Sequence, residues 1–126
     1  MSLSGRQVLH YTVLDAKATT GVGNTIDVRD FRNAVIKIGT SGSANLTVKI
    51  QGAIASPSND FLAPDFASAQ SVTNHWDYVQ AIDLNDGTPL NGDTGFVVTG
   101  VDDFKNYEVN INGFDYINLS VTSRSA

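Results

Sequence analysis

The chain has 126 residues, 41% of them apolar and 17% charged, which suits one domain with a buried core and excludes a disordered tail or charged spacer. Its net charge is −5, and no segment gathers three or more Lys or Arg, so it lacks the basic stripe that nucleic-acid binding needs. The absence of cysteine removes disulfides, thiolate metal sites and thiol nucleophiles.

The residue types favour β structure. Val, Ile, Thr, Phe, Tyr and Trp number 43, against 22 for Leu, Glu, Gln, Lys, Arg and Met; the first group suits a pleated, half-buried surface and the second a helix. Glu occurs once, whereas surface helices are normally rich in it. The start, MSLSGRQVLHYTVL, has no apolar stretch of about 7–15 residues followed by a small-residue cleavage site, so neither a signal peptide nor a membrane span is expected.

Residues 1–7 read as an N-terminal arm. In 6–14 Leu9, Tyr11 and Val13 share one face, the period-2 pattern of a first strand. A short extended TIDV follows at 25–28. AVIKIG at 34–39 turns Ala34, Ile36 and Ile38 inward, and LTVKIQ at 46–51 turns Leu46, Val48 and Ile50 inward with Thr47, Lys49 and Gln51 outward. TSGSAN between them predicts a hairpin.

From 55 to 75 the alternation dissolves into a long loop holding Pro57, Pro64, Phe61, Leu62 and Phe66; loops of this length inside a domain tend to be functional or disordered. WDYVQAIDL at 76–84 predicts a strand. Asn85-Asp86-Gly87 and Asn91-Gly92-Asp93 mark turns, and GFVVTGV at 95–101 is another strand. YEVNI at 107–111 and FDYINLSVT at 114–122 flank Asn112-Gly113, the pattern of a second hairpin. Val109, Ile111, Ile117, Leu119 and Val121 face in; Asn110, Asn118 and Ser120 face out.

IDVRDFRNAVIKIGTS at 26–41 also lies over VNINGFDYINLSVTSR at 109–124, an offset of 83 residues that matches Phe31 to Phe114. Two strand entries built on one grammar, or a duplication, would each produce it. No segment fits an amphipathic helix of ten residues or more. Seven to nine short strands predict an all-β fold, an antiparallel two-sheet β-sandwich of jelly-roll-like form spanning 1–126, with a small barrel as the alternative.

Chemistry is thin. His10 sits on a polar strand face. His75 and Asp77 would share a face about 7 Å apart, but neither a nucleophile elbow nor more than a neighbouring Ser71 accompanies them. Asp83, Asn85 and Asp86 before Gly87 lack the spacing of a calcium loop and read as a capped turn. Asp102-Asp103 reads as a solvated bend, and two His 65 positions apart do not make a zinc site. Catalytic residues, metals and cofactors are therefore not expected. Trp76 and Tyr78 share a strand face and could form a platform for sugar rings; the competing role of the indole is core packing. Asn45-Leu46-Thr47 and Asn118-Leu119-Ser120 match the glycosylation triplet, but within predicted strands.

The opening VLHYTVLDAKATTGVGNTIDVRDFRNAVIKIGTSGSANLTVKIQGAI resembles the start of many small virion structural proteins of tailed bacteriophages, in which a similar IDV–F phrase precedes a strand, a Gly-Ser hairpin and a second strand. The ending GFDYINLSVT is similar to theirs, and the likeness covers about two thirds of the chain. It implies a non-enzymatic part on the outer surface of the virion, a head decoration or cement protein that binds the major capsid protein or other virion proteins, often as a homo-trimer, with no nucleic acid or membrane partner. It carries over no interface residues. From the sequence itself, the contact candidates are Ser2, Leu3 and Arg6 in the arm and Phe61, Leu62 and Phe66 in the long loop, since apolar side chains in a loop are costly unless covered. The alternative is a carbohydrate- or receptor-binding module using Trp76 and Tyr78.

Overall fold

The computed structural model describes residues 11, 20–40, 45–54, 76–99 and 104–125. Among them are ten strands: β1 (Gly21–Val22), β2 (Ile26–Asp27), β3 (Asn33–Gly39), β4 (Asn45–Ala53), β5 (Asp77–Tyr78), β6 (Ala81–Asp83), β7 (Pro89–Leu90), β8 (Phe96–Thr99), β9 (Phe104–Asn110) and β10 (Tyr116–Ser125). They form two antiparallel sheets. The larger has β4 and β10 at its centre, with β1 and β2 on β10 and β5 and β8 on β4; the smaller runs β3-β9-β6-β7. No described residue is helical.

The predicted alternation explains the layers. Val48 and Ile50 of β4, Ile117, Leu119 and Val121 of β10, and Phe96 and Val98 of β8 are buried against Ile38 of β3, Tyr107 and Val109 of β9 and Ala81 of β6. The two sheets touch where Phe96 stacks on Tyr107, ring centroids 4.7 Å apart and planes 22° from parallel. This is the two-sheet sandwich expected, and not a closed barrel.

Both predicted hairpins are overturned. β3 pairs with β9 through Asn33↔Asn110 to Gly39↔Phe104, while β4 pairs with β10, β5 and β8; successive strands thus lie in opposite sheets. Likewise β9 and β10 flank Asn112-Gly113 but belong to different sheets, and the turn, with Gly113 at φ 97°, carries the chain across the core. Alternation shows which face of a strand is buried, but both sheets bury an inner face in the same core, so it does not choose the partner. WDYVQAIDL divides for the same reason: β5 joins the larger sheet and β6 the smaller. The Asn85-Asp86-Gly87 turn does close a hairpin, β6–β7. Gly87 N donates to Asp83 O at 2.8 Å, and Asp83 and Asp86 carboxylates accept from Asn85 N and Thr88 N. The Thr88 bonds, backbone first, hold Asp86 below the usual carboxylate range.

The sequence echo is a structural one. Phe31 N donates to Val28 O and Phe114 N to Ile111 O, both at 3.0 Å. Val28 N donates to Asp115 O at 2.9 Å and Ile111 N to Arg32 O at 3.1 Å. Arg29 N donates to Asp27 Oδ1 and Asn112 N to Asn110 Oδ1. Every bond maps on its counterpart at the same offset of 83, and so do the register pairs Asp27↔Tyr116 and Asn33↔Asn110. Two corners of one design are thus bonded to each other about a local two-fold axis. They differ in charge: Arg29 grips the Asp27 carboxylate (Nε–Oδ1 3.0 Å), and that side-chain bond holds Asp27 below its ordinary range.

Gln51, Asn118 and Ser120 alternate away from the inter-sheet core as predicted, yet they are closed from solvent. Gln51 and Asn118 are cross-strand partners, and Gln51 Nε2 donates to Asn118 Oδ1 at 2.6 Å. Asn118 Nδ2 donates to Thr25 Oγ1 at 3.4 Å. Among the described residues Gln51 Oε1 has no hydrogen-bond partner. The centre of the larger sheet is therefore buried on both faces, one apolar and one amide-bearing.

Candidate functional site

Ser2, Leu3, Arg6, Phe61, Leu62 and Phe66, with the arm (1–7), the long loop (55–75), most of the first predicted strand, His10, His75, Ser71 and Asp102-Asp103, lie outside the described residues. Tyr11 is exposed. Of the two platform aromatics, Trp76 is only 3% exposed, so the indole offers solvent no ring face. Tyr78 is half-buried on β5, with Lys49 Nζ 4.4 Å from its ring centroid, a cation–π geometry. The Asn118 of the second glycosylation triplet is fully buried, whereas Asn45 is exposed.

Tyr78 borders a shallow cleft of about 540 Å³, shared with Asp77, Gln80, Leu90, Asn91 and Asp93. Gly92 closes its floor: a Cβ there would stand 2.9 Å from the backbone N and C of Val79. Asn91 Oδ1 accepts from Asp93 N at 2.8 Å, which fixes the turn that carries the rim. Amides, carboxylates and one phenol on an open surface can hydrogen-bond a polyhydroxyl ligand. Among the described residues no three of His, Asp and Glu gather, and Asp83 instead meets Lys105 Nζ at 3.8 Å.

The second feature is the solvent face of the β3-β9-β6-β7 sheet. Registers place Val35, Glu108, Ile82 and Pro89 side by side across its four strands. Val35 is 61% exposed, and so is Phe104 at the end of β9; Ile82 and Leu84 are exposed too. Leu84 stands beside Asn106, its N donating to Asn106 O at 3.0 Å. Lys37 leans over Phe104, Nζ 4.8 Å from the ring centroid. Glu108, the only Glu of the chain, is half-buried between Val35 and Ile82, and among the described residues no cation pairs with it. The spacing of strands and residues gives this patch roughly 400 Å², the size of the largest patches on ordinary monomers, which are often functional.

The inward-face reading of AVIKIG accounts for Ala34, Ile36 and Ile38, which pack into the core, and leaves Val35 on the other face; WDYVQAIDL, read as a strand without a buried face, leaves Ile82 unassigned beside the buried Ala81 and Asp83. Apolar residues on both parities, Val35 beside Ile36 and Ile82 beside Ala81, are the signal that marks it. Comparison of the chain with protein-family models, with curated proteins and with solved structures found no match.

Proposed function

We propose that the chain is a non-enzymatic virion structural protein, a decoration or cement protein on the outer surface of a tailed-phage head, acting through contacts with the major capsid protein and with copies of itself. The observation that carries this is the apolar face of the β3-β9-β6-β7 sheet, which presents Val35, Ile82, Leu84 and Phe104 to solvent in an otherwise acidic chain; such a surface is closed by protein. The sandwich supplies a rigid body for it, and many copies on a symmetric lattice turn weak single contacts into reinforcement of the shell. Quantitative mass spectrometry of density-purified particles is expected to find the chain in a simple ratio to the major capsid protein. A few copies per particle would move it to the tail or baseplate, and absence from particles would remove the virion role.

A second reading, a carbohydrate-binding module, is favoured by the Tyr78 cleft with its amide and carboxylate rim. On that reading Tyr78→Ala abolishes retention on a glycan array while the thermal midpoint stays within a few degrees, since a half-exposed side chain contributes little to folding. Undiminished retention in the variant would exclude the cleft.

A further inference from the structure

Resting on the reading of the chain as an assembling structural protein, we infer that the solvent face of the β3-β9-β6-β7 sheet is a homotypic contact: it closes against the same face of a second copy about a two-fold axis.

The charges select this occupant. Among the described residues the face carries Glu108 and Lys37 as its ionised groups, one of each sign and so in balance, although the chain carries −5; copies can meet on these strands without the repulsion expected elsewhere on the surface. Val35 pairs with Glu108 and Lys37 with Asn106, which makes Lys37 and Glu108 diagonal neighbours about 7–8 Å apart. Within the chain they do not pair, because Lys37 leans the other way, over Phe104. A two-fold axis lying between the two faces, and midway between these two sites, sets each Glu108 carboxylate over the other copy's Lys37 and each ammonium over a Glu108. The same operation covers Val35, Ile82, Leu84 and Phe104 with their own kind. The half-buried carboxylate then gains a cation in a site that is losing water, where leaving it single would be costly.

About 400 Å² a side lies below the roughly 800 Å² per partner of standard complexes. Association is therefore expected at micromolar concentrations or above.

Sedimentation equilibrium of the full chain over a range from about 5 to 500 μM tests the pairing. The wild type is expected to pass from monomer to dimer with concentration. Glu108→Lys and Lys37→Glu are each expected to weaken the dimer at least about tenfold, since either change sets like charges together twice in a symmetric contact. The double swap Lys37→Glu with Glu108→Lys restores it, and an equimolar mixture of the two single variants forms a heterodimer. Circular dichroism melts keep these results separate from misfolding, and Val35→Lys gives an independent disruption. A monomeric wild type, an assembly indifferent to both single swaps, or a double swap that fails to restore association would each overturn the inference. Loss of particle binding in Val35→Lys from a wild type that stays monomeric would overturn the pairing and leave the virion reading standing. A charge-dependent dimer absent from particles would do the reverse.

Discussion

Replacing Phe96 by alanine is expected to lower stability by about 3–5 kcal/mol, the range measured for aromatic truncations in packed cores. Phe96 is 2% exposed and its ring lies flat on Tyr107 of the opposite sheet, so truncation opens a cavity at the seam where the layers touch. Neither sheet can collapse into it without shifting the other. That loss is a large part of a typical total of about 5–15 kcal/mol, and chemical denaturation would read it directly. The neighbouring Val97→Ala provides the contrast. Its side chain points out of the sandwich and is exposed, so a change of no more than about 0.5 kcal/mol is expected. Equal effects at the two positions would mean that β8 does not present Phe96 to the other sheet.

The amide pair on the far side of the larger sheet has the second large effect. Asn118→Ala removes the acceptor of the Gln51 Nε2 bond from a residue whose Oε1 already has no partner among the described residues. Both Gln51 polar atoms are then buried without a bond. A cost of about 2–3 kcal/mol is expected, the upper part of the range for an unsatisfied buried group. Gln51→Met together with Asn118→Leu removes the polar groups from both sides while keeping the volumes similar, and is expected to cost less than Asn118→Ala alone. Urea titration of the three proteins decides it: a double variant less stable than the single one would show that the pair contributes net stability and not merely mutual satisfaction. Register is the other quantity to follow. Gln51 and Asn118 are directly opposite in the β4–β10 ladder, and a one-residue slip would send the amides into the apolar core.

The local two-fold between the corners gives the echo at offset 83 a physical content. Asp27 and Asn110 each accept from the backbone N two residues on, and Val28 and Ile111 each open a turn closed by a Phe. Gly113 takes positive φ, while Asp30 stands at the matching place in the other corner. The likeness in sequence thus follows from one requirement met twice: a short polar side chain to cap the bend, an apolar residue to enter the core, and an aromatic to close it.

Of the two surfaces that carry the functional readings, the Tyr78 cleft was half legible. Tyr78 was marked by residue type, but its supposed companion Trp76 is enclosed, and the cleft is completed by the Asn91–Asp93 turn, more than ten positions along the chain. The apolar face of the smaller sheet was legible only as apolar residues on both parities of β3 and β6 and not as one surface, because Val35, Ile82 and Phe104 are 22 to 69 positions apart and become neighbours only through the β3-β9-β6 pairing.

The sequence by itself determined the class of structure. β-branched and aromatic residues in period-2 runs, turns at Asn-Gly and Asp-Gly, and a shortage of helix formers leave strands as the only economical conformation, and the alternation of β3, β4, β9 and β10 already names the side chains that line the core. Only the tertiary structure decided which strand lies beside which. Pairing is a contest between partners that present the same apolar face to the same core, and local pattern is indifferent to it; β3 therefore leaves its sequence neighbour for β9, and β4 for β10. The same long-range choice set Gln51 and Asn118 side by side on the face that alternation assigned to water, and assembled an apolar surface around the single Glu.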